Sequence, residues 1–429
     1  MWRRYLDLFR ARQAFISNAA GLYLDTLTSY LFPLITLPYL VRVLGPKGFG
    51  LVAFAQSFTS YLSVVTDYAM TLTGTREVAQ KREDPEMVSQ ALVDALALRL
   101  GLAVLLLPLV VGVVTNVPAF GEARSVISVL YLSVVASALS PTWLYLAFEG
   151  MWLLARINLG VNLAVIAAIF TLVRAPQDVL TYALILAFGP ATASVAGLAL
   201  AFRVFRLSPR WPRWQGILGV ARSGFRLAFS QLAVCLYTTG NAAILGTFTS
   251  KEQVAYFAAA DKVVRAVLRL ISPLTTAIFP RMVRAASGSI RELMTKVRSL
   301  LVVYAGLGSV ACLGLWAGAP AIIRWFYGPE FLPALVTLRV MSLIAVFIAA
   351  SNVLGIHVLL PTGKDRVFTA ITVAAGLANL AFARALVPRF QALGMAWSVV
   401  ASEALVTGAM GVAVWKTARE NGRGGGLWP

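Results

Sequence analysis

Twelve stretches of this chain stay apolar for about the length that a helix needs to cross a hydrocarbon core, and little polar sequence separates them. A core about 30 Å thick takes about 20 helical residues. The runs lie near 15–40, 50–72, 91–114, 125–147, 157–173, 181–202, 226–249, 255–279, 299–320, 333–358, 367–387 and 392–415. The expected fold is therefore all-α and polytopic, with about twelve transmembrane helices. Of the 429 residues 59% are hydrophobic and only 13% charged, which leaves no room for a large soluble domain. The outer loops are all short, so a domain that does chemistry outside the membrane is excluded as well.

The few charges are unevenly placed. The formal balance is +19, and in a membrane protein such an excess sits in cytoplasmic loops facing anionic lipid, so nucleic acid is not the implied partner. Sorted by loop, 24 of the 37 Lys and Arg fall on one side and 8 on the other, which predicts both termini in the cytoplasm. The basic start MWRRYLDLFRAR is followed by an apolar run with no small-residue cleavage pattern, so the first helix reads as retained.

The connection from Arg203 to Arg226 is the longest polar one and has no acidic residue. It divides the chain into a six-helix bundle over 1–202, a basic linker over 203–225, a second bundle over 226–415 and a tail over 416–429. The bundles echo each other: GPKGFGLVAFAQ from Gly45 resembles TSKEQVAYFAAAD from Thr249, each a short turn ahead of an Ala/Phe-rich helix. Such half-chain repeats are common in transporters.

Five cations remain inside the spans: Arg99, Lys262, Arg265, Arg269 and Arg339. Positions 262, 265 and 269 fall within an arc of about 60° at 100° per residue, so they share one helix face. An Asp261–Arg265 pair at i, i+4 accounts for one of them. Arg265 and Arg269 straddle the middle of the eighth span, about 15 Å from either surface, too far for a side chain to snorkel. A lone cation there costs about 2.5–3.5 kcal/mol, so three on one face call for a hydrated cavity or an anionic ligand. Arg99 and Arg339 are placed on the wall of the same cavity. Asp25, Asp67, Asp94 and Glu403 are candidates for H⁺ or Na⁺ coupling, or else buried partners of the arginines. Pro273, just past Arg269, is where the eighth helix could bend.

Enzyme chemistry has no support. The lone His357 has no Ser/His/Asp, CxxC, HExxH or Walker pattern beside it, no cofactor or metal is implied, and Cys235 and Cys312 read as small buried hydrophobes.

The segment LPYLVRVLGPKGFGLVAFAQSFTSYLSVVTDYAMTLTGTREVAQKRED, Leu37 to Asp84, resembles the N-terminal signature of the Wzx-type O-antigen flippases, relatives of the MATE drug exporters and the lipid II flippase. The PYLxRxLGxxxFG pattern, Asp67 and TREVA at Thr75–Ala79 carry it. YFAAADKVVRAVLRLISPLTTAIFPR, Tyr256 to Arg281, is similar to that family's eighth helix. The resemblance implies two six-helix bundles in a V around a cationic cavity. It also implies alternating-access movement of an undecaprenyl-diphosphate-linked oligosaccharide from the inner to the outer leaflet of a bacterial inner membrane; the shared helix face independently offers Lys262, Arg265 and Arg269 as cations to match that diphosphate. The only mid-helix charge of the first span is Asp25, where the lipid II branch has basic residues, which favours the O-antigen type. Partners implied are the lipid-linked oligosaccharide, membrane lipids and a polysaccharide polymerase or ligase. The competing reading is a cation-coupled multidrug exporter of the same superfamily, which would favour an acidic cavity.

Overall fold

The computed structural model of the chain describes residues 2–286 and 290–423, with side chains described for most of 35–419. The described elements are helical throughout. In order they are α1 (Trp2–Asp67), α2 (Met70–Lys81), α3 (Pro85–Asn116), α4 (Arg124–Leu139), α5 (Thr142–Ala147), α6 (Met151–Leu172), α7 (Val179–Val204), α8 (Trp214–Thr238), α9 (Asn241–Phe248), α10 (Lys251–Arg269), α11 (Ser272–Ala286), α12 (Ile290–Ala321), α13 (Ala334–Ser342), α14 (Ile344–Leu354) and α15 (Asp365–Arg423). The fold is all-α and polytopic. Eight stretches of the described residues are long and apolar enough to cross a membrane, among them Pro85–Asn116 and Leu293–Tyr327.

Apolar runs and helices do not correspond one to one. Two runs share α1, joined at Gly45 with φ 64°, and two share α15, joined at Gln391 with φ 52°. Gly45 is followed by Pro46, and Gly328, with φ 97°, is followed by Pro329. In both places a residue without a Cβ takes the left-handed backbone and the next ring holds φ near its helical value. Other runs are broken. The fourth divides at Ser140–Pro141 into α4 and α5, and the seventh divides between α8 and α9. The eighth divides at Leu270–Ile271, where Leu270 N–H donates to Val267 O and Ile271 N–H to Leu268 O, each at 3.1 Å. Pro273 has no N–H to return to the Arg269 carbonyl, so the α-helical ladder cannot continue there and tightens to i→i−3 bonds.

By packing, the chain divides into two compact units, Met1–Cys235 and Leu236–Pro429, the boundary falling inside α8. The core of the first gathers Met70, Leu92, Trp143, Tyr145 and Leu154 from α2, α3, α5 and α6. The core of the second gathers Leu293, Tyr304, Val353, Ala375 and Met410 from α12, α14 and α15. Lipid tails are as apolar as these side chains, so within the membrane the cores are held by close packing more than by the hydrophobic effect. Both cysteines are buried and neither forms a disulfide.

Gly308 shows how close the packing is. A Cβ there would lie 2.8 Å from the Ala345 carbonyl oxygen and 3.1 Å from the Val346 Cα, backbone atoms of α14. Gly314, on the same helix, has nothing within 4 Å of its hypothetical Cβ. Gly308→Leu should therefore destabilise the protein by about 1–3 kcal/mol or more, the usual cost of overpacking. Gly314→Leu should be near neutral. Thermal unfolding of the two variants in one detergent checks the contrast, and equal transitions would contradict the α12–α14 contact.

Candidate functional site

The charges predicted at membrane depth separate into groups, each built by a break in a helix. In the second unit α10 carries Asp261, Lys262, Arg265 and Arg269 on three consecutive turns. The Arg265 Nε donates to Asp261 Oδ1 at 2.7 Å and Oδ2 at 2.8 Å, and its Nη2 donates to the Thr238 carbonyl at 2.5 Å. Thr238 ends α8, so one guanidinium holds a carboxylate of its own helix and a carbonyl at the end of α8, to which Asn241 Nδ2 also donates at 3.4 Å. Glu403, on α15 and only 8% exposed, lies within electrostatic reach of Arg265. Lys262 and Tyr327 lie within reach of Asp261. The Tyr327 hydroxyl donates to the Ala259 carbonyl at 2.9 Å. Two carboxylates thus stand among the three cations, and the face read as a cationic stripe is a mixed cluster with a small positive excess. Lys262 and Arg265 are half-buried, and Arg269, at the last turn of α10, is exposed.

In the first unit Arg99, on α3, is completely buried. Its Nε donates to Thr66 O at 3.2 Å, Nη1 to Ser140 O at 2.9 Å, and Nη2 both to Asp67 Oδ1 at 3.0 Å and to Ser137 O. These carbonyls lie at the ends of α1 and α4, where the helical ladder stops. Beyond Asp67 the chain passes through two left-handed residues, Tyr68 and Ala69, with φ of 52° and 57°. Asp67 also lines a cavity of about 430 Å³ together with Ser63, Ser133, Ser137, Ser194 and Gln231.

The other predicted residues whose side chains are described lie apart from these two groups. Asp94, 4% exposed, accepts from Gln90 Nε2 at 2.9 Å and from the Arg213 backbone N–H at 2.7 Å. It thus receives the chain just before α8, and Gly216 leaves room for it, since a Cβ there would lie 1.9 Å from Asp94 Oδ2. The same turns of α3 hold the preceding basic segment: Ser89 Oγ accepts from Ser208 N–H at 3.0 Å, and Glu86 pairs with Arg210 at 2.8 Å. Arg339 lies over the Trp316 ring at 4.5 Å and donates to the Trp316 carbonyl at 3.4 Å. The Asp25 side chain lies outside the described residues. His357 is fully buried, with Nε2 3.4 Å from the Tyr304 hydroxyl, which is 3.2 Å from Thr275 Oγ1.

Residues 15–286, more than half of the chain, match the family described as polysaccharide biosynthesis protein. The chain belongs to that family. This agrees with the resemblance of the Leu37–Asp84 and Tyr256–Arg281 segments to the Wzx-type transporters. A proposed O-antigen transporter of Escherichia coli (strain K12) is 28% identical over 389 residues, covering 89% of this chain and 92% of its own. The fold is shared with solved transporters at low identity. An inward-facing MATE-family multidrug transporter of the MOP superfamily superposes with a TM-score of 0.71 at 15% identity, over 92% of this chain and 96% of that one. The lipid II flippase MurJ, in an inward closed conformation, superposes with a TM-score of 0.70 at 12% identity, over 96% of this chain and 90% of that one.

Several features of this family member escaped sequence reasoning. Thr238 acts through its carbonyl, and Tyr327 reaches α10 from 68 residues away. The hydroxyl row of the first-unit cavity did leave a signal: Ser133, Ser137 and Ser140 recur at i, i+4 and i+7 in an otherwise apolar run.

Removing Arg99 would leave the Asp67 carboxylate and the Thr66 and Ser140 carbonyls without this donor, while Ser137 O keeps the Ser140 N–H, at the cost of about 3–5 kcal/mol typical of breaking a buried pair. Arg99→Ala should therefore lower the folded yield sharply. Asp67→Asn should be milder, because the amide oxygen still accepts and the carbonyls keep their partner. Size-exclusion profiles of the purified variants give the order, and a milder effect at Arg99 would contradict this reading.

Proposed function

We propose that the protein is a flippase. It carries an undecaprenyl-diphosphate-linked oligosaccharide, an O-antigen or related repeat unit, from the inner to the outer leaflet of the bacterial cytoplasmic membrane by alternating access. It performs no covalent chemistry on its cargo. Family membership supports the substrate class, together with the match over 89% of this chain to a proposed O-antigen transporter. The observation that carries the site is the face of α10, with Lys262, Arg265 and Arg269 on successive turns. A diphosphate is costly to move through hydrocarbon, and cations at that depth offset the cost only if they are held there.

The three cations divide the work. Arg265 is engaged by Asp261 and the end of α8 and orients the cluster. Lys262 and Arg269, on the same face, contact the diphosphate. Glu403 couples transport to H⁺ or Na⁺, because a change in its charge alters the pull on Arg265 and through it the α8–α10 junction. The cluster lies in the second unit alone, so anion binding is assigned to that unit.

Lys262→Gln with Arg269→Gln should reduce surface polysaccharide about tenfold or more in a strain lacking its own flippase, since each charge-assisted contact contributes about 1.5–3 kcal/mol. Immunoblots of surface polymer, normalised to protein level, measure it. Unchanged polymer would remove these two residues from the site. The loop charges also orient the chain with both termini in the cytoplasm. Alkaline phosphatase fused after Lys47 should then be active and fused after Arg82 inactive, and the reverse pattern would invert the orientation.

A further inference from the structure

The cavity of the first unit is lined by more hydrogen-bonding groups than the protein itself uses. Its walls come from α1, α4, α7 and α8, and its volume is about 430 Å³. Some of its polar groups are occupied from within. The Ser133 hydroxyl donates to Leu130 O, Ser137 Oγ lies 3.4 Å from both Thr66 Oγ1 and Ser63 O, and Ser140 Oγ lies 3.0 Å from Thr142 Oγ1. Four other groups have no hydrogen-bond partner among the described residues. They are the hydroxyls of Ser63 and Ser194, the amide of Gln231, and Asp67 Oδ2, whose companion Oδ1 accepts from Arg99 Nη2. Ser194 is only 8% exposed and lines the cavity from α7.

A buried polar group costs stability unless water or a ligand meets it. Here four of them, brought by three helices, converge on whatever fills one space. Charge decides the class of ligand. Asp67 is balanced by the fully buried Arg99, and no other charged side chain is among the described residues that line the cavity. A cation there would meet the repulsion of the guanidinium as well as the pull of the carboxylate, and an anion would meet the carboxylate first. The unpartnered groups are of mixed kind: a carboxylate oxygen only accepts, a hydroxyl donates or accepts, and an amide does both. A neutral molecule with several adjacent hydroxyls satisfies all of them, and a sugar ring is such a molecule. Val64 and Pro190, the apolar lining residues, suit the C–H face of the ring. Ligand sites run to about 300–1,000 Å³, so this cavity has room for a sugar unit rather than a whole oligosaccharide.

We propose that this cavity is a sugar subsite. One ring hydroxyl donates to Asp67 Oδ2 in a charge-assisted bond, and Ser63, Ser194 and Gln231 meet the hydroxyls beside it. That the sugar belongs to the cargo rests on the flippase reading above; the binding of a sugar does not. Anion and sugar are then recognised by separate units.

The test uses the full-length protein in lipid nanodiscs, which avoids sugar-headed detergents, and reads binding by native mass spectrometry. The probes are farnesyl diphosphate and the same diphosphate carrying one glucose or one N-acetylglucosamine. Wild type should bind at least one glycosylated probe about tenfold more tightly than the bare one. S63A/S194A/Q231L should lose that gain and bind bare farnesyl diphosphate as wild type does. Its thermal transition should not fall, because the groups removed have no partner in the protein, whereas a structural role would lower it. S194A alone, a one-atom change that keeps the readout if the triple variant folds poorly, should reduce the gain about threefold. T171A removes a hydroxyl of α6 that only bonds its own helix, and it should keep the gain. No gain from either sugar in wild type, or a gain that survives in these cavity variants, would overturn the proposal. Sodium that stabilises wild type but not the triple variant, without any gain from sugar, would mark a cation site and overturn it too. A sugar gain lost in the cavity variants, in a protein that restores no surface polysaccharide to a strain lacking its flippase, would count against the flippase reading alone.

Discussion

A helix that stops inside a membrane leaves carbonyls with no water to meet them, and this fold stops its helices there repeatedly. Each exposed helix-end carbonyl in hydrocarbon would cost several kcal/mol. Arg99 answers the problem in the first unit, giving hydrogen bonds to Thr66, Ser137 and Ser140 carbonyls and to the Asp67 carboxylate. Arg265 answers it in the second, giving hydrogen bonds to the Thr238 carbonyl and to Asp261. In both units one guanidinium, charge-balanced by one aspartate, closes a helix end. An arginine suits this because its fork presents several donors in fixed directions, and its charge is tolerable only with a carboxylate beside it.

That constraint separates two kinds of intramembrane charge. Arg99, Asp67 and Arg265 belong to the framework, and so does Asp94, which receives the chain at Arg213 just before α8. Lys262 and Arg269 sit on the same face as Arg265, and they are the residues given to the cargo under the proposed function. The break at Leu270–Ile271 places Arg269 at the last turn of α10. It also turns the following Arg281 and Arg284 onto a separate helix facing α12.

The twelve apolar runs were legible because membrane thickness sets a length and hydrocarbon sets a composition, and both are written locally. The break near Pro273 was legible for the same reason, since a missing N–H is a property of one residue. The breaks at Tyr68–Ala69 and Leu343 were not: neither position is glycine or proline, and what stabilises the first is a buried arginine 30 residues onward. The shared face of Lys262, Arg265 and Arg269 followed from helical period. The balance of charge on it did not, because Glu403 comes from a helix more than 130 residues away.

The amino-acid sequence alone determined that this chain is a helical membrane protein, where its apolar runs lie, which family signature it carries and which cations fall inside those runs. Those properties depend on residues close together in the chain. Beyond the Asp261–Arg265 step of α10, which the helical period already gave, tertiary structure decided which charges neutralise each other and which helix ends they close. Arg99 and Asp67 are 32 residues apart, and Arg265 and Thr238 are 27 apart. No local pattern specifies such pairs. They arise because packed helices bring an unsatisfied carbonyl and a guanidinium to the same depth in a medium that offers neither of them water.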